Sequence, residues 1–407
     1  MLFFRFLCIY ALFFAFSFGI VWADKTSEAF AYLNSLRKNS GLVALKTNTL
    51  LQKAAKNHAR YLIRHQNGGH YEDQKKAGFT GVTPTDRVLY AGYASKAVME
   101  NVSVNTKNAE ESIDTLLAGI YHRFVFLNFE KDEIGIGYAS KQERKGFFSA
   151  YVYDLGSTAA NALCKTSYPM QNGVYYIQNI CKNASLAIPN ALYQQKEDEI
   201  RQKNSDIIMY PYANQHNVPP VFFDESPDPL PEYKVSGFPI SVQFNPSRFN
   251  EVKLIKFQLF DEKQKEIKRK KILTHQNDMH RRFTPLQFAL MPLKRLEYGK
   301  TYRVKFEALC DGKAVKRYWK FTTSKPEGKF HKITQKHTTL KIKKGQKNVF
   351  YFEPKHPKDL LACVSYTTGI RIGCIDQNTL WATVPLDFPD QSYVLKAGNR
   401  SVKLLID

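Results

Sequence analysis

Three side chains of this 407-residue sequence are placed to bind a metal or move a proton: His70, Glu100 and His122, in three separate segments. Two imidazoles and a carboxylate are a plausible ligand set for a divalent transition metal such as zinc, with water completing the coordination. The same trio could relay protons, because histidine titrates near neutral pH. A metal-assisted, peptidase-like hydrolase would also need a nucleophile and an oxyanion site in reach. Ser103 and a metal-bound water are the only candidates, and there is no G-x-S-x-G, no H-E-x-x-H and no cysteine beside the trio. A third reading makes the trio a hydrogen-bonded network that pins three loops. Asn101 and Arg123 adjoin the trio and are expected to orient its loops rather than touch a ligand. His58 and His65 lie along a helical stripe with no acidic partner in the pattern, and are expected to be polar groups satisfied at a helix edge. His331, His337 and His356 lack ligand spacing and are expected at the surface.

The elements that must position the trio follow from periodicity. Residues 26–38 open with a Thr/Ser cap and place Ala29, Phe30, Leu33 and Leu36 on one helical face, with Gly41 ending the helix. A second helix spans about 48–66, with Leu51, Ala54, Ala55 and Leu62 in one stripe. His70 follows Gly68-Gly69, where a glycine pair turns the chain sharply, and a loop histidine at the end of an element is well placed for chemistry. Thr83-Pro84-Thr85-Asp86-Arg87 turns into a short helix closed by Gly92-Tyr93. Another helix begins near Asn108 or Glu110-Glu111, buries Ile113, Leu116, Leu117 and Ile120, and carries His122-Arg123 at its end. The runs IGIGYA and FFSAYVYDLG then predict two strands.

These pieces resemble, over about residues 26–156, the CAP superfamily of cysteine-rich secretory, antigen 5 and pathogenesis-related proteins, in its bacterial form. The resemblance is carried by Asn34-x-x-Arg37, His70, the Pro84/Asp86/Arg87 turn, Gly92-Tyr93, Glu100-Asn101, His122-Arg123 with Leu127-Asn128, and Ile134-Gly135-Ile136-Gly137. It implies an α-β-α sandwich with an open cleft lined by two His and two Glu. The sequence departs from the pattern at the second acidic residue, expected on the helix just before the second His. That neighbourhood reads Leu117-Ala118-Gly119-Ile120, and Glu110, Glu111 and Asp114 lie too far back to replace it.

Beyond Gly156 the chain changes character. The stretch 158–232 holds Cys164 and Cys181, a charged run near 194–203 and the Pro- and acid-rich NQHNVPPVFFDESPDPLPEY, and is expected to be a disulfide-containing connector ending in a linker. From 233 to 324 apolar/polar alternation predicts an antiparallel β-sandwich, with turns at Glu262-Lys263 and Asp311-Gly312. Its Leu296–Tyr302 and Trp319–Thr323 segments resemble bacterial Ig-like modules, which implies only a scaffold. Residues 325–407 predict a further β domain.

The first 23 residues carry one Arg followed by eighteen uncharged, mostly apolar residues and end in Val21-Trp22-Ala23. They predict a cleaved export signal, or else an uncleaved anchor. Export fits the cysteines: Cys164/Cys181 and Cys363/Cys374 are the natural intrachain disulfides of an oxidising compartment, leaving Cys310 as the odd thiol, unpaired or paired between chains. The formal charge of +22 favours polyanionic neighbours, and export makes these anionic envelope polymers or lipids rather than nucleic acid. The expectation is thus a secreted or periplasmic α+β protein: signal 1–23, CAP domain 24–157, connector 158–232, β-sandwich 233–324 and C-terminal β domain 325–407. No transmembrane segment would remain after signal removal. The expected function is binding in the His/Glu cleft, with a metal-assisted hydrolase or a ligand-free spacer as alternatives.

Overall fold

The structure, a computed structural model, describes residues 24–143, 146–361, 364–365 and 369–407. The expected export signal lies outside the described residues. Among the described residues, no helix is long and apolar enough to cross a membrane.

The N-terminal unit contains α1 (Lys25–Asn39), β1 (Lys46–Thr47), α2 (Thr49–His65), α3 (Pro84–Ala91), β2 (Met99–Val104), α4 (Ala109–Ala118), α5 (Ile120–Phe126), β3 (Glu133–Glu143) and β4 (Gly146–Gly156). Its sheet runs β1-β3-β4-β2, parallel between β1 and β3 and antiparallel elsewhere. The alternation along β4 explains the layering. Ala150 and Val152 pack with Ala55, Ala59 and Leu62 of α2, while Tyr151 and Tyr153 join Leu33, Leu36, Ile113 and Leu117 of α1 and α4. Successive strand residues face opposite ways, so both faces are covered and an α-β-α sandwich results.

The Asn48 side chain caps α2 by accepting from the Leu50 and Leu51 amides. A reciprocal capping box joins Thr83 and Asp86 at the start of α3, and Gly92 ends that helix at φ +107°. The single helix expected from 108 onward is two. Gly119 takes an extended conformation (φ −74°, ψ 132°) that ends α4 and starts α5, so His122 lies within a short second helix.

After β4 come α6 (Thr158–Leu163), the Cys164–Cys181 disulfide and α7 (Asn190–Arg201). Strand Ile207–Tyr210, inside the expected connector, pairs with Ile240–Phe244. It thereby joins a four-stranded sheet completed by Gln287–Pro292 and Arg269–Leu273. The opposing sheet is Val252–Phe260, Thr301–Cys310 and Lys313–Thr322, with a two-residue hairpin at Asp311-Gly312 whose φ values are both positive. Rings of Phe244, Phe257, Phe288 and Phe306 fill the space between the sheets. The expected linker is not an open tether either: Val221–Phe222 pairs with Ser236–Gly237, and Phe222 and Leu230 are buried.

Residues 329–406 build two four-stranded sheets around a core of their own. Arg295 of the sandwich meets this unit through a two-point ion pair with Asp376 (2.6 and 3.0 Å). Cys310 is buried and forms no disulfide with another described residue. Cys374 is exposed, and its expected partner, Cys363, lies outside the described residues.

Candidate binding cleft

The His70 side of the cleft rests on α3 and β2. His70 Nδ1 lies 2.8 Å from Glu100 Oε1, and Arg87 donates to Glu100 Oε2 (2.6 Å) and to the His70 carbonyl (2.9 Å). Arg87 is fully buried, which is why a helix this short carries a capping box: its start must be fixed for the guanidinium to reach both partners. Burial alone would raise the Glu100 carboxyl, but the His70 hydrogen bond and the Arg87 charge overcome it and hold Glu100 below its ordinary range.

Asp154 stands opposite Glu100 across the β2–β4 ladder, and no donor reaches its buried oxygens. Burial, then the Glu100 charge, pushes its carboxyl well above the usual range, which favours its neutral form. A second histidine lies behind. His58, fully buried, meets Glu72 at 2.9 Å and the Gly69 carbonyl at 3.0 Å. The expectation that His58 lacks an acidic partner is thus corrected: Glu72, fourteen residues on, supplies it from the far side of the His70 turn. His65 is satisfied by the Ala77 carbonyl at 2.9 Å.

The His122 side is built differently. Asn101 donates to the His122 carbonyl (2.9 Å), which ties β2 to α5. Arg123 faces away from the cleft. It donates to the carbonyls of Leu117 and Pro239 and to Ser241 Oγ, and lies over the rings of Tyr210 and Phe238. The fourth, acidic corner that the sequence lacks near residue 119 is present in space. Glu225, 103 residues further on, lies with Oε2 2.8 Å from His122 Nδ1 and accepts the Ile120 amide on Oε1 at 2.6 Å. A Cβ on residue 119 would sit 2.6 Å from Glu225 Oε2 and 3.2 Å from His122 Nδ1. The glycine is the space the carboxylate occupies.

The two imidazoles face one another with ring centroids 6.5 Å apart and planes inclined by 21°. Each is tied through Nδ1 to a nearly fully buried carboxylate, and no hydrogen bond joins either Nε2 to another described residue. A carboxylate on one ring nitrogen fixes the tautomer and makes the other the better donor of a lone pair, the arrangement found behind metal-binding histidines. A zinc bonded to Nε2 at about 2.1 Å lies about 3.2 Å from the ring centroid. Rings sharing one ion with a bent geometry therefore have centroids near 5 Å, so the nearly parallel pair must close by about 1 Å and turn the in-plane Nε2 lone pairs toward one point. Among the described residues no group of three or more His, Cys, Asp or Glu is disposed to hold an ion. The protein's share of such a site is two imidazoles. Ser103 lies an odd number of residues along β2 from Glu100, so the two side chains point to opposite sheet faces.

Residues 30–153 match the model of the cysteine-rich secretory protein family, CAP. This part of the chain is a CAP domain. The match ends within β4, so Glu225 lies outside the matched residues. Among solved structures, the chain is similar to an outer surface protein of Borrelia burgdorferi at 19% identity, over 33% of this chain and 92% of that one, with a TM-score of 0.28. It is also similar to an extracellular SCP-domain protein of Bacillus anthracis at 18% identity, over 32% of this chain and 39% of that one, with a TM-score of 0.27. No curated protein matches the sequence.

Proposed function

We propose that this chain is an exported binding protein whose CAP cleft takes a divalent cation such as zinc between His70 and His122, with water or a small polar ligand completing the coordination. The observation that carries the reading is the pair of Nδ1-tethered imidazoles facing across 6.5 Å. Glu100 and Glu225 hold the rings and offset the charge of the ion. Export is supported by the apolar leader and by the Cys164–Cys181 disulfide, a bond that persists in oxidising compartments.

Docking to an anionic envelope polymer is the second part of the proposal. A cavity of about 570 Å³ on the sandwich is lined by Arg303, Lys305, Lys320, Phe260, Tyr318 and Trp319. Arg303 and Lys320 are paired across adjacent strands, which sets two cations side by side with aromatic surface, a combination suited to an acidic sugar chain.

Zinc titration by calorimetry, on the protein and on a His70→Ala/His122→Ala variant, tests the cleft. Saturable binding with one ion per chain is expected, abolished in the variant at unchanged melting temperature. Absence of binding by the unaltered protein, together with destabilisation of the variant, would show that the histidines only pin loops.

A further inference from the structure

We propose that Glu225 is the positioning residue for His122, delivered by a loop of the β-sandwich in place of a carboxylate on the histidine's own helix, so that the CAP cleft is complete only when the second half of the chain is attached. The loop 223–235 is closed at its base by the Val221–Phe222 and Ser236–Gly237 pair. Phe222 and Leu230 bury against Ile120, Tyr121 and Phe124 of α5. The Asp228 carbonyl meets His280 Nε2 at 2.9 Å, and the amides of Lys234 and Val235 donate to the Pro357 carbonyl at 2.7 and 3.0 Å. The loop is therefore held on both flanks of Glu225, whose side chain is only 3% exposed.

A cap on the start of α5 would account for the bonds to the Ile120 and Tyr121 amides. It does not account for Oε2 at 2.8 Å from His122 Nδ1, nor for Gly119 leaving the volume a side chain would fill. Gly119 has a backbone conformation any residue can adopt (φ −74°, ψ 132°). Its lack of a side chain is required by the neighbour, not by the turn. Glu225 and a side chain at 119 exclude each other, which makes the assignment testable by exchange.

Three variants are compared with the full chain: Glu225→Ala, Glu225→Gln and the double variant Gly119→Glu/Glu225→Ala. The first readout is the His122 tautomer from ¹⁵N imidazole NMR without metal, at about pH 8 where an unperturbed histidine is neutral. The full chain should show the Nδ1–H form. Glu225→Ala should move His122 toward the Nε2–H form while leaving His70 unchanged, and the double variant should restore Nδ1–H. Glu225→Gln retains an oxygen for the helix amides. It should fold even if the alanine variant does not, and should still shift the His122 signals.

The second readout is zinc affinity, expected to fall ten- to a hundredfold in Glu225→Ala, the usual effect of losing such a partner, and to recover in the double variant. This arm rests on the metal reading above; the tautomer arm does not. A tautomer shift without zinc binding by the full chain would support the role of Glu225 and discard zinc. An unchanged His122 tautomer in folded Glu225→Ala, or unchanged His122 signals in Glu225→Gln, would overturn the proposal, whatever zinc does.

Discussion

At the scale of single residues, the N-terminal domain buries charge in two ways, and they respond oppositely to pH. Glu100 is buried with Arg87 and His70 against it and stays ionised. Asp114 is half-buried, with the Tyr32 hydroxyl donating to it at 2.8 Å. Desolvation dominates there, and its carboxyl is raised from 3.8 to about 6. A raised acid stabilises the fold while both states are protonated, below its unfolded value, and that contribution is lost as pH rises through the folded value. Stability is therefore lost as pH rises from the unfolded value of 3.8 to the folded value of about 6, and above that the full cost is present, up to roughly 3 kcal/mol for a displacement of this size. Asp114→Asn should be close to neutral at about pH 4 and stabilising at about pH 7. Urea unfolding at the two pH values checks this; an effect independent of pH would refute the assignment. The trio itself was legible from the motifs that carry it, Gly68-Gly69-His70, Glu100-Asn101 and His122-Arg123. Glu225 was not legible. It sits in a Pro- and acid-rich run that looks like a solvated linker, and the sole hint was the missing acid beside Gly119.

At the scale of elements, the fit of α2 on the sheet sets the floor of the cleft, and two glycines set that fit. A Cβ on Gly135 would lie 2.0 Å from the Leu51 and Gln52 backbone, and one on Gly137 would lie 2.1 Å from the Ala55 carbonyl oxygen. These neighbours are backbone, so no rotamer change relieves the clash and the helix as a whole must move. Gly137→Ala should cost at least the 1–3 kcal/mol typical of overpacking. It should also loosen the His58–Glu72 pair, since His58 rides on the same helix. Denaturant unfolding and the His58 NMR signals check both effects, and a variant of unchanged stability would mean that α2 is not seated directly on the strand. The Ile-Gly-Ile-Gly alternation announced the strand but not the reason for its glycines, which lies in a helix some eighty residues earlier. The division between α4 and α5 was hidden for a similar reason. Apolar residues continue at helical spacing through Gly119, and the break is fixed by the distant carboxylate lodged there.

At the scale of the molecule, the strand pattern was readable from 233 onward, because half-buried sheets impose period two whatever their partners. The boundary was not, because Ile207–Tyr210 is too short to stand out and belongs to a sheet completed later in the chain. That strand ties the halves together. One continuous core runs from Ala29, Leu33 and Leu117 through Ile208, Phe238 and Val242 to Phe306 and Phe321, whereas the C-terminal unit has a separate core. The fully buried Arg123 of the CAP domain finds Pro239, Ser241, Tyr210 and Phe238 only in the sandwich, and Gln243 donates to the Leu127 carbonyl at 3.2 Å. Cutting the chain at 157 would leave that guanidinium without these partners and expose apolar residues of α1, α4 and α5 that otherwise share the larger core. Cutting at 324 removes chiefly the Arg295–Asp376 contact, the Lys107 bond to the Cys374 carbonyl and the Pro357 bonds to the loop. A protein ending at 324 should therefore keep the elution behaviour of a folded protein and melt within a few degrees of the full chain, while one ending at 157 should aggregate or melt far lower. Size-exclusion chromatography with thermal melts decides the matter. A 24–157 fragment as stable as the whole would mean that the shared core contributes nothing, and with it the case for a cleft assembled from both halves would fall.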